Sequence, residues 1–112
     1  MKHITAIIRP EKLESVRRAL EQVGYSGLMI SEIEGHGKQK GIVQQWRGEK
    51  YKVELIQKIK LEIVVKDNEV DLIKKTIMEN ARTGEIGDGK IFIATVDDVI
   101  RIRTGEEGES AL

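Results

Sequence analysis

Residues 58–65 read KIKLEIVV: Ile59, Leu61, Ile63 and Val65 alternate with Lys58, Lys60, Glu62 and Val64. A period of two sends the first set to one face of a pleated strand and the second to the other, so the segment is a strand with one face in a core. A few residues on, the period changes. Val70, Ile73, Ile77 and Ala81 recur at helical spacing as far as Arg82, with Asn68 as the expected N-cap and Gly84 as the stop. The same switch occurs near the start of the chain. Ile4, Ala6 and Ile8 alternate with His3, Thr5 and Ile7, Pro10 ends that strand, and Leu13, Val16, Leu20 and Val23 form a stripe opposite Glu14, Arg17, Arg18 and Glu21, closed at Gly24.

Three more strands complete the expectation: 27–34 around Met29, Ile30 and Ile33; 90–96; and a short fifth strand at 99–104, with Ile100 and Ile102 on one face and Arg101 and Arg103 on the other. The tail 105–112 is expected to fray. Strand, helix, strand, long connection, strand, helix, strand is the ferredoxin-like double βαβ order. It is an α+β fold with both helices on one face of a four-stranded antiparallel sheet. The other face has to be covered by something, and association of subunits covers it most simply. At 112 residues the chain reads as one domain, 1–112.

Lysine plus arginine and aspartate plus glutamate number 19 each, so no overall field draws the chain to nucleic acid or a membrane surface. With no cysteine and no apolar run of membrane-spanning or signal-peptide length, a cytoplasmic protein without disulfides is expected.

The stretch 37–55 is far longer than the usual connection of about 2–6 residues, and such loops are commonly functional. It holds the only tryptophan, Trp46, and Tyr51, flanking Arg47-Gly48. An alternative is a β-hairpin with arms 42–46 and 51–55 and its aromatics paired across the strands. The two readings are compatible.

TGEIGDGKIFI at 83–93 sets Gly84, Gly87 and Gly89 beside Lys90. Glycines let backbone amides approach a ligand closely, so the segment reads as a phosphate cradle, while a helix C-cap at Gly84 with a tight Asp88-Gly89 turn is the plainer alternative. It is not a mononucleotide P-loop: Ile91 stands where Ser or Thr would bind the metal, and the segment leaves a helix for a strand rather than the reverse. A phosphoryl-transfer enzyme would need a metal-binding carboxylate cluster and a placed general base, neither evident around His3 or His36. An RNA-binding sheet would display aromatics on its strands, and Phe92 is the only one there.

Three separated segments resemble the PII family of nitrogen-regulatory signal-transduction proteins: TGEIGDGKIFI with VIRIRTGE at 99–106, GHGKQKG at 35–41 with WRGEKY at 46–51, and AIIRPEKL at 6–13. The resemblance spans essentially the whole chain and is nearest to the branch that controls ammonium channels. It implies a non-catalytic homotrimer that binds ATP or ADP in clefts between subunits. Gly87, Asp88 and Gly89 would then cradle the phosphates and Lys90 neutralise them, with Arg101 and Arg103 reaching in from the adjacent subunit. Residues two apart on a strand stand about 6.5–7 Å apart on one face, which suits successive phosphates. Gly35, Gly37, Lys38 and Gln39 would complete the nucleotide site, and Ile7, Met29, Glu62 and Val64 would line the nucleoside. Met29 stands where the family commonly has threonine, and Lys38 where it has arginine.

The resemblance further implies 2-oxoglutarate bound beside Mg2+ and the ATP phosphates. Gln39 would help chelate the metal and contact the oxo-acid, Lys58 would pair with its distal carboxylate, and Arg9, Gly37, Lys40 and Gly41 would shape that pocket. The loop 37–55 would grip a partner through Trp46, Arg47, Gly48 and Tyr51. That partner would be the cytoplasmic face of an ammonium channel, which Arg47 would plug, or glutamine synthetase or another nitrogen-metabolism enzyme. Tyr51 matches a tyrosine that some relatives modify, although Trp46 and Glu49-Lys50 depart from the usual flanks. Neither nucleic-acid binding nor direct membrane insertion is expected.

Overall fold

A computed structural model of the chain describes residues 1–36, 44–46, 49–51 and 55–112. Strand β1 is Lys2–Ile8, followed by a 3-10 turn at Pro10–Lys12 and helix α1 at Leu13–Gln22. Then come β2 (Met29–His36), β3 (Gln44–Trp46), β4 (Glu49–Tyr51) and β5 (Leu55–Val65). A second 3-10 turn, Asp67–Glu69, leads into α2 (Val70–Ala81), and β6 is Lys90–Thr95. The main sheet has the order β2-β5-β1-β6 with every neighbouring pair antiparallel, as a ferredoxin-like double βαβ requires.

Pleating divides this sheet as the alternation predicts. Ile4, Ala6 and Ile8 of β1 and Ile59, Leu61, Ile63 and Val65 of β5 are buried with Val16 and Leu20 of α1 and Ile73, Ile77 and Ala81 of α2. Both helices therefore lie on that side, and β5, paired on both edges, carries the middle of the core. On the opposite face Met29, Glu62, Thr5 and Phe92 form one row across four strands. Met29 and Phe92 are each more than half exposed.

Several local expectations change. The fifth strand at 99–104 does not form: its one ladder contact is an isolated bridge from Ile100 to Glu107, residues 102–104 are a turn, and Ile102 is fully exposed. Alternation alone makes no strand where no neighbouring edge is offered. The tail is not frayed either. Gly108–Ala111 is a 3-10 turn, tied back by the Gly108 amide to the Val99 carbonyl at 2.9 Å. The N-cap position of α2 is Glu69 rather than Asn68; its carboxylate makes no cap bond to α2 and instead closes the preceding 3-10 turn by accepting the Lys66 amide at 3.0 Å. A hairpin in the long connection does exist as a separate two-stranded sheet, with arms Gln44–Trp46 and Glu49–Tyr51 rather than 42–46 and 51–55; in its backbone register Trp46 is opposite Glu49 and Tyr51 opposite Gln44. Gly24 closes α1 as expected, at φ 97°.

Candidate functional site

The segment between α2 and β6 is built from its own side chains. The Asp88 carboxylate accepts the Thr83 amide at 2.9 Å, the Gly84 amide at 2.8 Å and the Thr83 hydroxyl. Thr83 Oγ1 also accepts the Glu85 amide at 3.1 Å, which tightens the first turn. From β1's end, Arg9 Nε donates to Asp88 at 3.1 Å and Arg9 Nη2 to the Ile86 carbonyl at 2.9 Å. The Thr83 hydroxyl first, and then the two amides and Arg9, hold the Asp88 carboxyl far below the ordinary carboxylate range. Asp88 was expected in the cradle around phosphate. Its carboxylate is the strut of the loop.

Two glycines are required by geometry. Gly89 has φ 103°, and a Cβ there would sit 1.7 Å from the Ile7 carbonyl oxygen, so no side chain fits. Gly87, at φ 102°, lies against Arg9 and Lys58: a Cβ would be 3.3 Å from Arg9 Nη2 and 3.7 Å from Lys58 Nζ. The Lys58 ammonium donates to the Gly87 carbonyl. Burial first, and the neighbouring Arg9 charge second, lower the Lys58 pKa.

A concavity of about 260 Å³ opens here on the sheet face away from the helices, lined by Ile7, Gly35, Lys58, Gly87, Gly89 and Lys90 together with the apolar side chains of Ile33, Ile56, Ile86 and Phe92. Residues assigned from sequence to two different ligands are thus one neighbourhood: Lys58 and Arg9 touch the same turn as Gly87 and Asp88. Met29, Glu62 and Val64 lie farther along the same face. Glu62 is opposite Met29 and Thr5, within 3.4 Å of His3 Nε2 and 3.6 Å of Lys60 Nζ, and Val64 is opposite His3.

The strand expected to carry Arg101 and Arg103 on one face does not form. Arg101 Nη1 is 3.0 Å from Glu106 and its Nη2 donates to the Ser110 carbonyl at 3.3 Å. Arg103 lies in the exposed turn. Gly37, Lys38, Gln39, Lys40, Gly41, Arg47 and Gly48 lie outside the described residues. Among those described, no group of three or more His, Asp or Glu side chains could hold a metal.

Sequence reasoning missed Thr83 as an organiser of the loop and the apolar lining from Ile33, Ile56, Ile86 and Phe92. A threonine just beyond a helix, ahead of a Gly-Asp-Gly turn, was the available signal for the first.

Fold and site together define a ferredoxin-like sheet carrying a glycine-opened turn, with Lys58 and Lys90 in the concavity beside it and Arg9 braced against it. A sequence model of the family Nitrogen regulatory protein P-II matches residues 1–106. Over its whole length the chain is 54% identical to nitrogen regulatory protein P-II 2 of Methanothermobacter thermautotrophicus, covering 97% of that protein. It is 54% identical to nitrogen regulatory protein P-II of Microchaete diplosiphon and 53% identical to that of Pasteurella multocida, covering each completely. The chain belongs to the P-II family, whose members are regulatory signalling proteins and not enzymes.

Proposed function

We propose that this chain works as a single-domain homotrimeric sensor of ATP, ADP and 2-oxoglutarate that regulates nitrogen assimilation by docking residues 37–55 on a partner, foremost an ammonium channel at the cytoplasmic face of the membrane. What supports the reading is one observation: Lys58 and Lys90 line a single concavity with Gly87 and Gly89, and Arg9 braces the same turn. Fixed cations and glycine-opened backbone are what an oligophosphate or a dicarboxylate requires, and each charge-assisted contact is worth about 1.5–3 kcal/mol.

In this reading the amides of 87–89 and Lys90 hold the nucleotide phosphates, Arg101 and Arg103 close on them from a neighbouring subunit, and Ile7, Met29, Glu62 and Val64 flank the nucleoside. Gly35, Gly37, Lys38 and Gln39 complete that site. Lys58 takes the distal carboxylate of the oxo-acid, while Gly37, Gln39, Lys40 and Gly41 meet its other end. Mg2+ belongs to this set through Gln39 and the nucleotide's own oxygens, and supplies charge neutralisation between phosphate and oxo-acid. Arg9, already committed to Asp88 and Ile86, shapes the pocket rather than offering a free charge. Trp46, Arg47, Gly48 and Tyr51 meet the partner.

Calorimetric titration of 2-oxoglutarate tests this, once into the protein alone and once with saturating Mg-ATP. Heat is expected only in the second case. Lys58→Met is expected to abolish that heat and, because it also releases the Gly87 carbonyl, to weaken ATP about two- to fivefold. Retained oxo-acid binding in the variant removes Lys58 from the site. Absence of ATP binding by the folded wild type removes the nucleotide reading altogether.

A further inference from the structure

We propose that Glu106 is a built-in competitor of the nucleotide phosphates for Arg101, so that it sets how strongly the site responds to phosphate charge; this rests on the reading of Arg101 as a phosphate ligand.

The last residues of the chain fold back on themselves around this arginine. The Arg101 amide donates to the Glu106 carbonyl at 2.9 Å, the Gly105 amide to the Arg101 carbonyl at 2.7 Å, and the Gly108 amide to the Val99 carbonyl at 2.9 Å and Asp98 Oδ1 at 3.1 Å. Gly105 and Gly108 turn the backbone at φ 73° and 71°. The result presents Glu106 and the Ser110 carbonyl to the guanidinium. Glu106 Oε1 takes Nη1 at 3.0 Å and Ser110 O takes Nη2 at 3.3 Å.

Those two nitrogens form the end of the fork that a phosphate would grip bidentately. An arriving oligophosphate must displace the carboxylate or share the guanidinium with it. Sharing is opposed by charge, because the segment 97–112 carries Asp97, Asp98, Glu106, Glu107 and Glu109 against only Arg101 and Arg103. Displacement is inexpensive. The pair is partly solvated, with side-chain exposures of 35% for Arg101 and 43% for Glu106, and such pairs hold their partners weakly. Glu106 therefore keeps Arg101 from acting as an open cation until a ligand with enough charge arrives. Adenosine, without phosphate, gains nothing by removing the competitor.

The test is calorimetric titration of Mg-ATP and of adenosine into the full-length wild type, Glu106→Gln, Arg101→Ala and the double variant. Glu106→Gln keeps the side chain's shape and removes its charge, and Glu106→Ala guards against a residual hydrogen bond. The expected result is ATP affinity raised about two- to fivefold in both Glu106 variants, unchanged adenosine affinity, and no gain from Glu106→Gln once Arg101 is alanine. Unchanged or weaker ATP binding in both Glu106 variants overturns the proposal, as does a gain that persists without Arg101 or extends to adenosine. Wild-type ATP binding that is insensitive to Arg101→Ala overturns the underlying reading of Arg101 instead, and the proposal with it.

Discussion

Asp88 accepts hydrogen bonds from the Thr83 amide and hydroxyl, the Gly84 amide and Arg9, and in doing so joins three stretches of chain. A carboxyl whose folded pKa is depressed stabilises the fold fully above its ordinary value, 3.8 here, and loses that contribution only as pH falls through the folded value. The loop should therefore keep its shape through mild acid. Carbon-detected NMR of the Asp88 carboxyl is expected to show no midpoint near 3.8 in the wild type and a clear upward shift in Thr83→Val, which loses the largest contributor. An unshifted midpoint in that variant would remove Thr83 as the organiser. At this scale the sequence was only half readable. Gly-Asp-Gly-Lys announces a turn with a cation. That the aspartate serves the turn itself becomes visible only once β1 brings Arg9 against it.

A side-chain hydrogen bond links the end of α1 to the start of α2. The Tyr25 hydroxyl, just past the end of α1, donates to the Glu69 carboxylate at the start of α2, and Glu69 also accepts the Lys66 amide. The hydrogen bond to Glu69 first, then burial, raises the Tyr25 pKa from 10.0 to about 12. Because the neutral phenol is the form the fold favours, this contribution is present below pH 10 and is lost as pH rises towards about 12. Tyr25→Phe is expected to cost about 0.5–1.5 kcal/mol in denaturant unfolding at pH 7 and nothing above pH 12. Equal losses at both pH values would place its effect in packing instead. Elements whose apolar residues keep one period, α1, α2, β1 and the second half of β5, are legible from sequence. The start of β5 is not, because Leu55 and Ile56 are strand only through pairing with His36 and Gly35 on β2. The supposed strand at 99–104 has the right alternation and no partner, which shows that period without an edge to join is insufficient.

For the molecule as a whole, the face of the sheet away from the helices is the part a single chain leaves unfinished. Met29 and Phe92 are more than half exposed there, and Ile7, Ile33 and Val64 are only partly covered. No helix among the described residues is long and apolar enough to cross a membrane. In the proposed trimer this face is inside. Phe92→Glu, which places a charge on the edge strand β6 and in the lining of the concavity, is expected to shift sedimentation from trimer to monomer and to lose ATP binding with it. A trimer that survives the change would put the subunit contact on another surface. The need for such a cover could be read from sequence, since helices on one side of a sheet leave the other bare, whereas the apolar lining of the concavity on that face could not.

The 1.7 Å separation between a would-be Cβ of Gly89 and the Ile7 carbonyl has a consequence for how such chains diverge. Glycine at this position is held by the sheet itself, whether or not anything binds nearby. A descendant that abandoned its ligand would be free to discard Lys90 and Lys58 while still unable to replace Gly89. Ancestry is therefore written in the glycine, and present occupation in the lysines.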